Sequence, residues 1–324
     1  MAIVSRQYEP PPPLSSFVKC FWYWEGAPQT HSKERLMPNG EPSIVLNLRD
    51  NPIQLYDPDN LGRSRSYGHA VVSGAHTNCM VIDTLQQDRV FGIQFRAGGA
   101  FPFIRMPACE LENTSVTLNY LWPRANELRE RLLAAPTTDA MFPIAEGFLL
   151  AQLVRSLTLH PAVNFACRQF CARPHDVTAA SILDQTGLSQ RRFIQLFHEQ
   201  IGVTPKAFCR VRRFQRILES VHRASEVNWV RVALDCGYYD QAHFIHDFRQ
   251  FSGLTHAILG TRHHAPEPRP HSLMLVYWPN FRSANCSRAV ERKASLKTEA
   301  SKSPDAKLKL GGQFFTIQSY PGVQ

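Results

Sequence analysis

The chain has 324 residues, a hydrophobic fraction of 44%, a charged fraction of 19% and a formal net charge of +9. One hydrophobic core rarely grows past about 250–300 residues, so we expect two domains in a globular protein of ordinary composition. The positive charge favours a polyanionic partner. The eight cysteines include no C-x-x-C pair, which excludes a zinc finger and a secreted disulfide scaffold.

The sequence carries no targeting or membrane signal. The N-terminus lacks the apolar core of a signal peptide, and no stretch approaches the ~20 apolar residues that a membrane span requires. We therefore expect reduced thiols, a cytoplasmic location and no contact with a membrane.

The first hundred residues are predicted to form short strands. Residues 17–24 are rich in aromatic side chains, and residues 43–48 follow a proline-bounded turn. Residues 89–96 alternate in polarity from Phe91 to Phe95 and precede a Gly-Gly pair. Several short strands separated by glycine and proline predict a small β-sandwich or barrel.

The pattern then changes to a helical period. We expect helices over 124–135 and 143–159, and a mainly helical chain from there to about residue 259. Three prolines follow residue 265, and residues 282–309 are dominated by Lys, Arg, Ser and Ala, which predicts a mostly disordered basic tail. A short apolar segment inside this tail, residues 273–278, is expected to dock back on the body.

An internal repeat with an offset of 51 residues lies in the helical part. Repeats of this kind indicate a duplicated supersecondary unit. The matched pairs are Ser189 with Asp240, Gln190 with Gln241, Phe193 with Phe244, Phe197 with Phe248, Gly202 with Gly253, and Thr204 with Thr255.

Each unit has the pattern of a helix-turn-helix. The first predicts a helix over 176–185, a turn at Gly187, and a second helix over 190–201 capped by Ser189. The second predicts a helix over 228–235, a turn at Gly237, and a helix capped by Asp240. The phenylalanines, spaced at i and i+4, form the core and turn the polar face of each second helix outward.

A polar outward face on such a helix is the usual reader of DNA bases, because the major groove admits one helix. Arg191 can pair with guanine, glutamines with adenine, and His246 with guanine or a base amine. Arginines beside these positions are better suited to phosphates, which fix register without reading sequence. The candidate DNA-binding residues are Ser189, Gln190, Arg191, Arg192, Ile194, Gln195, His198, Arg210, Arg212, Arg213, Asp240, Gln241, Ala242, His243, His246 and Arg249, with Arg216 as a further phosphate contact.

The stretch 227–249 resembles the signature of AraC-family transcriptional regulators, and residues 187–189 with 205–208 resemble its first half. The resemblance covers residues 165–260. It implies a seven-helix domain that binds double-stranded DNA, and contact with RNA polymerase if the protein is an activator. Two departures stand out: His256 and Leu259–Gly260 replace the usual proline and aromatic-Arg pair, and His246 replaces a common arginine. The implied base-facing positions are Gln190, Arg191, Ile194, Gln195, Gln241, Ala242, His243 and His246.

The N-terminal half resembles a sensor-type domain found in a subset of that family, through residues 8–14, 34–40 and 92–103. We hypothesise that it binds a small-molecule effector or a second copy of the chain, giving a homodimer, and so biases DNA binding. One interpretation places an apolar effector pocket with a few charges there; the other makes the aromatics a barrel core and the charges its rim. The candidate pocket residues are Trp22, Trp24, Arg35, Glu41, Phe95, Arg96 and Phe101.

Two rival functions find little support. The sequence has no Walker loop, H-E-x-x-H, G-x-S-x-G or G-x-G-x-x-G, so we expect no enzyme and no cofactor. The His and Cys pairs form no closed four-ligand set, so we expect no metal. A protein-interaction module with nonspecific DNA affinity remains the alternative.

The predicted fold is α+β in three parts. Residues 1–160 form a β-sandwich or barrel-like regulatory domain with trailing helices. Residues 161–264 form an all-α domain of two helix-turn-helix units, and residues 265–324 form the basic tail.

Overall fold

The computed structural model of the chain describes residues 4–26, 33–84, 87–174, 177–223, 229–238 and 240–253, and the strands 273–276 and 315–317. Strands occupy the N-terminal part, where aromatic and β-branched residues are dense. They are β1 (Val4–Tyr8), β2 (Val18–Glu25), β3 (Lys33–Leu36), β4 (Ser43–Asn47), β5 (Gln54–Tyr56), β6 (Ser64–Ser66), β7 (Ala70–Ser73), β8 (Met80–Asp83), β9 (Arg89–Phe95) and β10 (Ser115–Thr117).

These strands form two sheets. The first has the order β1-β2-β9-β4-β7-β10, with antiparallel neighbours throughout. The second contains β3-β8-β5-β6 and is extended at β3 by two strands from the tail, β11 (Leu273–Val276) and β12 (Phe315–Ile317). β11 runs parallel to β3, so the apolar segment of the tail docks on the body as expected.

Strand β2 is buried on both faces. Side chains alternate across a strand. Phe21 and Tyr23 therefore lie on one face, in the largest apolar cluster of the N-terminal part, which we call the main core. The other face packs with Val90 and carries Cys20, Trp22 and Trp24. The predicted β architecture of the N-terminal domain is thus confirmed, with its aromatics in the interior.

Two helices, α1 (Ala125–Leu133) and α2 (Thr138–Ala151), cover the main core. On α2, Phe142 stacks on Tyr8 at 5.4 Å between ring centroids. The expected helix over 143–159 was misplaced. It starts earlier because the Thr137 hydroxyl accepts from the Ala140 amide, and it ends at Ala151. Beyond it, Arg155 donates to the carbonyl of Phe101. This bond ties the chain to the part formed by strands β1 to β10, which we call the β domain.

The C-terminal part consists of helices, as predicted. They are α3 (Pro161–Ala172), α4 (Ala179–Thr186), α5 (Gln190–Ile201), α6 (Pro205–Arg223), α7 (Trp229–Asp235) and α8 (Gln241–Ser252). The expected helix starts at 176 and 228, and residues 256–260, lie outside the described residues. In the described part of the chain, no helix is both long and apolar enough to cross a bilayer.

Two apolar clusters hold these helices, and both include side chains of the β domain. The first gathers α3, α4, α5 and the start of α6 around Phe193, Phe197 and Phe208, and includes Ala75. The second gathers α6, α7 and α8, and includes Met37 and Cys79. The two halves of the chain therefore share buried surface.

Candidate nucleic-acid interface

Helix α5 presents a polar face to solvent. Ser189 caps it by accepting from the Arg192 amide at 3.3 Å, and Gly187 before it has φ +66°, a left-handed turn that glycine adopts without strain. Phe193, Leu196 and Phe197 are buried. The remaining side chains of the first two turns are exposed: Gln190, Arg191, Arg192, Ile194 and Gln195.

Helix α8 repeats this arrangement. The Asp240 carboxylate accepts from the His243 amide at 2.7 Å, while Phe244, Phe248 and Phe251 are buried. Its outward side chains are Ala242, His246 and Arg249, which are exposed, and His243, which is half-buried; only the backbone of Gln241 is described. Ser189 and Asp240 are thus engaged as helix caps.

Three expected DNA contacts instead meet protein carboxylates. His198, in the last turn of α5, lies 2.8 Å from Glu112 of the β domain. Arg210 pairs with the buried carboxylate of Asp247, and Arg212 lies 3.5 Å from Glu41. Sequence periodicity placed His198 outward, and the two arginines were expected to contact phosphates. In the structure, neighbouring acidic residues bind all three side chains.

The other two candidate arginines of α6 also have protein neighbours. Arg213 lies over the ring of Tyr238 at 5.5 Å. Arg216 lies 3.7 Å from Glu219 and donates to the Ala172 carbonyl at 3.3 Å. Arg192, Arg216 and Arg249 are exposed, and Arg192 and Arg249 lie on the second helices of the two units.

Sequence reasoning missed Asp247. Its carboxylate is buried on α8, with Arg210 Nε at 3.4 Å, His246 Nδ1 at 3.5 Å and His243 Nε2 at 3.9 Å. A buried carboxylate requires partners, and here they join α6 to the two histidines of the outward face. The available signal was an acidic residue amid phenylalanines and histidines in an otherwise basic helix.

The β domain contacts the C-terminal end of α8. Arg35 donates from Nη1 to the Ser252 carbonyl at 3.2 Å and from Nη2 to the Pro58 carbonyl at 2.7 Å. The Cys79 thiol donates to the same Ser252 carbonyl at 3.3 Å. Through these bonds, the C-terminal end of α8 is tied to β3 and to the loop before β8.

The candidate effector-pocket residues occupy separate environments. Trp22 and Trp24 pack together on one face of the first sheet, Phe95 belongs to the main core, and Phe101 lies under Arg155 at 4.3 Å. The charged ones have other partners: Arg35 bonds to Ser252, Glu41 lies near Lys19 and Arg212, and Arg96 donates to the Ser15 carbonyl. This distribution supports the alternative interpretation, in which the aromatics are core.

Two families match the chain by sequence. A domain of unknown function (DUF6597) matches residues 6–117, and a helix-turn-helix domain matches residues 182–257. No curated protein matches the chain.

Among solved structures, ToxT from Vibrio cholerae O395 aligns at 11% identity and a TM-score of 0.38, covering 72% of this chain and 95% of that chain. A 1.65 Å structure of ToxT from Vibrio cholerae aligns at 10% identity and a TM-score of 0.39, covering 79% and 96%. Similarity this loose does not establish a shared fold.

The family match agrees with the geometry of the C-terminal part. It runs from Ile182, within α4, to beyond the end of α8, and so includes both capped helices with exposed polar faces. The chain is therefore a DNA-binding transcriptional regulator whose C-terminal domain is an AraC-type helix-turn-helix domain.

Proposed function

We propose that α5 and α8 are the two recognition helices and enter successive segments of the major groove of one operator, about 34 Å apart. The observation that carries this proposal is the pair of matched helices. Each has a polar N-terminal cap and a buried phenylalanine face, and each leaves exposed polar side chains in its first turns.

In this proposal the base contacts differ between the two helices. On α5, Arg191 has the forked donor that suits guanine, and Gln190 and Gln195 have the amides that suit adenine. On α8, Gln241, Ala242 and His246 occupy the corresponding positions, and His243 is a further base contact. A good bidentate contact discriminates against a wrong base by about 1–3 kcal/mol.

Phosphate contacts come from Arg192 and Arg249 and set the register of the helices on the duplex. His198, Arg210 and Arg212 act indirectly, by fixing the helices through Glu112, Asp247 and Glu41. Ser189 and Asp240 contribute as caps.

The N-terminal domain serves as the regulatory half in this proposal, through an effector or a second copy of the chain. Its packing against both helix-turn-helix units supports this role, because a change in the β domain reaches either recognition helix through buried contacts. Contact with RNA polymerase follows if the protein activates transcription. The proposal assigns the chain no catalytic step.

The test is selection of random DNA fragments by the full chain at two salt concentrations, beside an Arg191→Ala/His246→Ala variant. We expect one enriched motif with two elements about one helical turn apart, lost in the variant. Binding that is uniform across sequences and abolished by salt would indicate electrostatic attraction alone, and would favour a protein-interaction module.

A further inference from the structure

A cleft of about 520 Å³ opens in the β domain between β5, β6, β8 and the loop before β8. Its size is typical of a small-molecule site, which usually spans about 300–1,000 Å³. Its apolar wall includes Leu55, Tyr67, Met80 and Val81. None of the side chains expected to bind an effector lines it.

A residue of the lining carries a buried polar atom without a partner among the described residues. His76 lines the cleft and is 9% exposed, and its Nε2 has no hydrogen-bond partner among the described residues. Burial lowers the pKa of His76 to about 4, and a backbone hydrogen bond with Thr114 acts in the opposite direction. The ring is therefore neutral near pH 7.

A neutral imidazole carries its proton on one ring nitrogen and accepts a hydrogen bond at the other. With the proton on Nδ1, Nε2 is an acceptor that has no partner among the described residues. A buried acceptor of this kind is satisfied by an incoming hydroxyl or amine.

The exposed part of the cleft is cationic. Arg63 and Arg65 line it and are exposed, so their guanidinium groups are available to an anion. The one carboxylate in the lining, that of Asp57, already accepts from the Asp59 amide at 2.9 Å and the Asn60 amide at 3.3 Å.

We propose that this cleft binds a small amphipathic organic acid, whose carboxylate meets Arg63 and Arg65 and whose hydroxyl donates to Nε2 of His76. The ligand's apolar body packs on Tyr67 and Met80. In the free protein, Nε2 is a buried acceptor without a hydrogen bond, which is energetically unfavourable. The hydroxyl of the ligand supplies that hydrogen bond.

Ligand binding in the cleft is coupled to α8, the second proposed recognition helix, through two residues of the lining. Cys79 and Pro58 both line the cleft, the Cys79 thiol bonds to the Ser252 carbonyl, and the Pro58 carbonyl holds Arg35. A ligand that shifts either residue changes the support of the last turn of α8. This coupling rests on the proposed function, whereas the binding site does not.

The site is tested by calorimetry of the full chain without DNA, using three probes. These are 3-(4-hydroxyphenyl)propanoate, the same acid without its hydroxyl, and the methyl ester of the hydroxy acid. We expect the hydroxy acid to bind about fivefold more tightly than the acid without the hydroxyl, as one hydrogen bond provides. The ester should bind severalfold more weakly, because it lacks the charge that the arginines recognise.

Variants distinguish this site from any other. His76→Phe should remove the advantage of the hydroxyl, while His76→Gln, which keeps an acceptor oxygen, should retain most of it. Arg63→Gln/Arg65→Gln should weaken both acids and leave the ester unchanged. Thermal melts establish that each variant is folded. No binding of the hydroxy acid at millimolar concentration, or equal binding by wild type and a folded His76→Phe, would overturn the site.

The coupling is tested by titrating the selected operator with and without saturating hydroxy acid. We expect a severalfold change in DNA affinity, lost in Arg35→Met: Arg35 joins the Pro58 and Ser252 carbonyls but does not line the cleft, so this variant should still bind the acid. An unchanged affinity with the acid bound would overturn the coupling. If no specific DNA is found, the proposed function fails, and the calorimetric result still decides the binding site.

Discussion

The guanidinium of Arg35, on β3, donates to the carbonyl oxygen of Ser252, the last residue of α8, at 3.2 Å. Carbonyls at the C-terminal end of a helix lack partners within the helix and carry its partial negative charge. The next residue, Gly253, turns into the left-handed region at φ +69° and bonds back to Arg249. The β domain thus places a positively charged side chain at the C-terminal end of α8.

Arg35→Met should loosen this joint while keeping most of the apolar volume. The Ser252 carbonyl would lose a charged donor, so we expect the free energy of unfolding to fall by about 1–3 kcal/mol. Hydrogen exchange should accelerate at the C-terminal amides of α8. Arg131→Met, on the exposed surface of α1, is the matched control and should change neither measurement. Equal exchange at α8 in the two variants would contradict a structural role for Arg35.

Asp247→Asn should destabilise the C-terminal domain, because it removes the charge that Arg210 neutralises. The free energy of unfolding, measured by urea denaturation, should fall by about 2–3 kcal/mol. This is less than the ~3–5 kcal/mol lost when a fully buried ion pair is broken, because the Arg210 side chain is partly exposed to solvent.

A double variant separates this pair from its surroundings. Arg210→Met/Asp247→Leu should regain most of the lost stability, because two apolar side chains need no charge partner. The DNA affinity of the double variant should nevertheless be lower than that of wild type, because His243 and His246 lose the carboxylate beside them. Full DNA affinity in the double variant would show that Asp247 has no positioning role.

Gly92→Ala should strongly destabilise the β domain. A Cβ there would lie 2.0 Å from Cε2 of the Trp22 ring, and both residues are buried. Overpacking of this kind costs about 1–3 kcal/mol or more, which a lower melting temperature would report. Gly147→Ala is the matched control: this glycine is exposed within α2 and a Cβ there would meet nothing within 4 Å. Alanine should raise stability there by about 0.5–1 kcal/mol. Similar melting temperatures for the two variants would contradict the described packing of β9 on β2.

His76 should make the β domain sensitive to mild acid. Burial lowers its pKa from the usual 6.5 to about 4, so the unfolded chain binds more protons than the folded one between these values. The contribution of neutral His76 to the free energy of unfolding is therefore fully present above pH 7, and it is lost as the pH falls from 6.5 towards 4. Between pH 7 and pH 5 the loss attributable to this residue is about 2 kcal/mol.

The control for this prediction is His76→Gln, which cannot titrate. The unfolding free energy of wild type minus that of the variant should decrease by about 2 kcal/mol as the pH falls from 7 to 5. The other histidines contribute equally to both proteins and cancel. A difference that stays constant over this range would mean that His76 is not buried in the neutral form.

Local patterns were sufficient to predict helices α5 and α8. The caps at Ser189 and Asp240, the turns at Gly187 and Gly237, and the phenylalanine spacing all act within one turn of the helix, so each is visible in the sequence. The strands β2, β4 and β9 were predicted for the same reason: their aromatic and β-branched residues alternate locally.

Contacts between distant segments were not predictable in this way. His198 lies on the polar face of α5 by periodicity, yet its partner Glu112 is 86 positions away. Trp22 and Arg35 were grouped as pocket residues by composition, but strand alternation and register send them to different surroundings. The cleft at His76 was not predictable from local patterns because its lining comes from several short strands and loops.

The most direct test of two recognition helices is guanine-methylation interference on the selected operator with the full chain. Methylation at N7 blocks major-groove contacts, so we predict two interfering clusters on one face of the duplex, about 10–10.5 base pairs apart. Arg191→Ala should abolish interference at one guanine in a single cluster and leave the other cluster intact. One cluster only, or interference without any preferred position, would contradict the claim that α5 and α8 read DNA together.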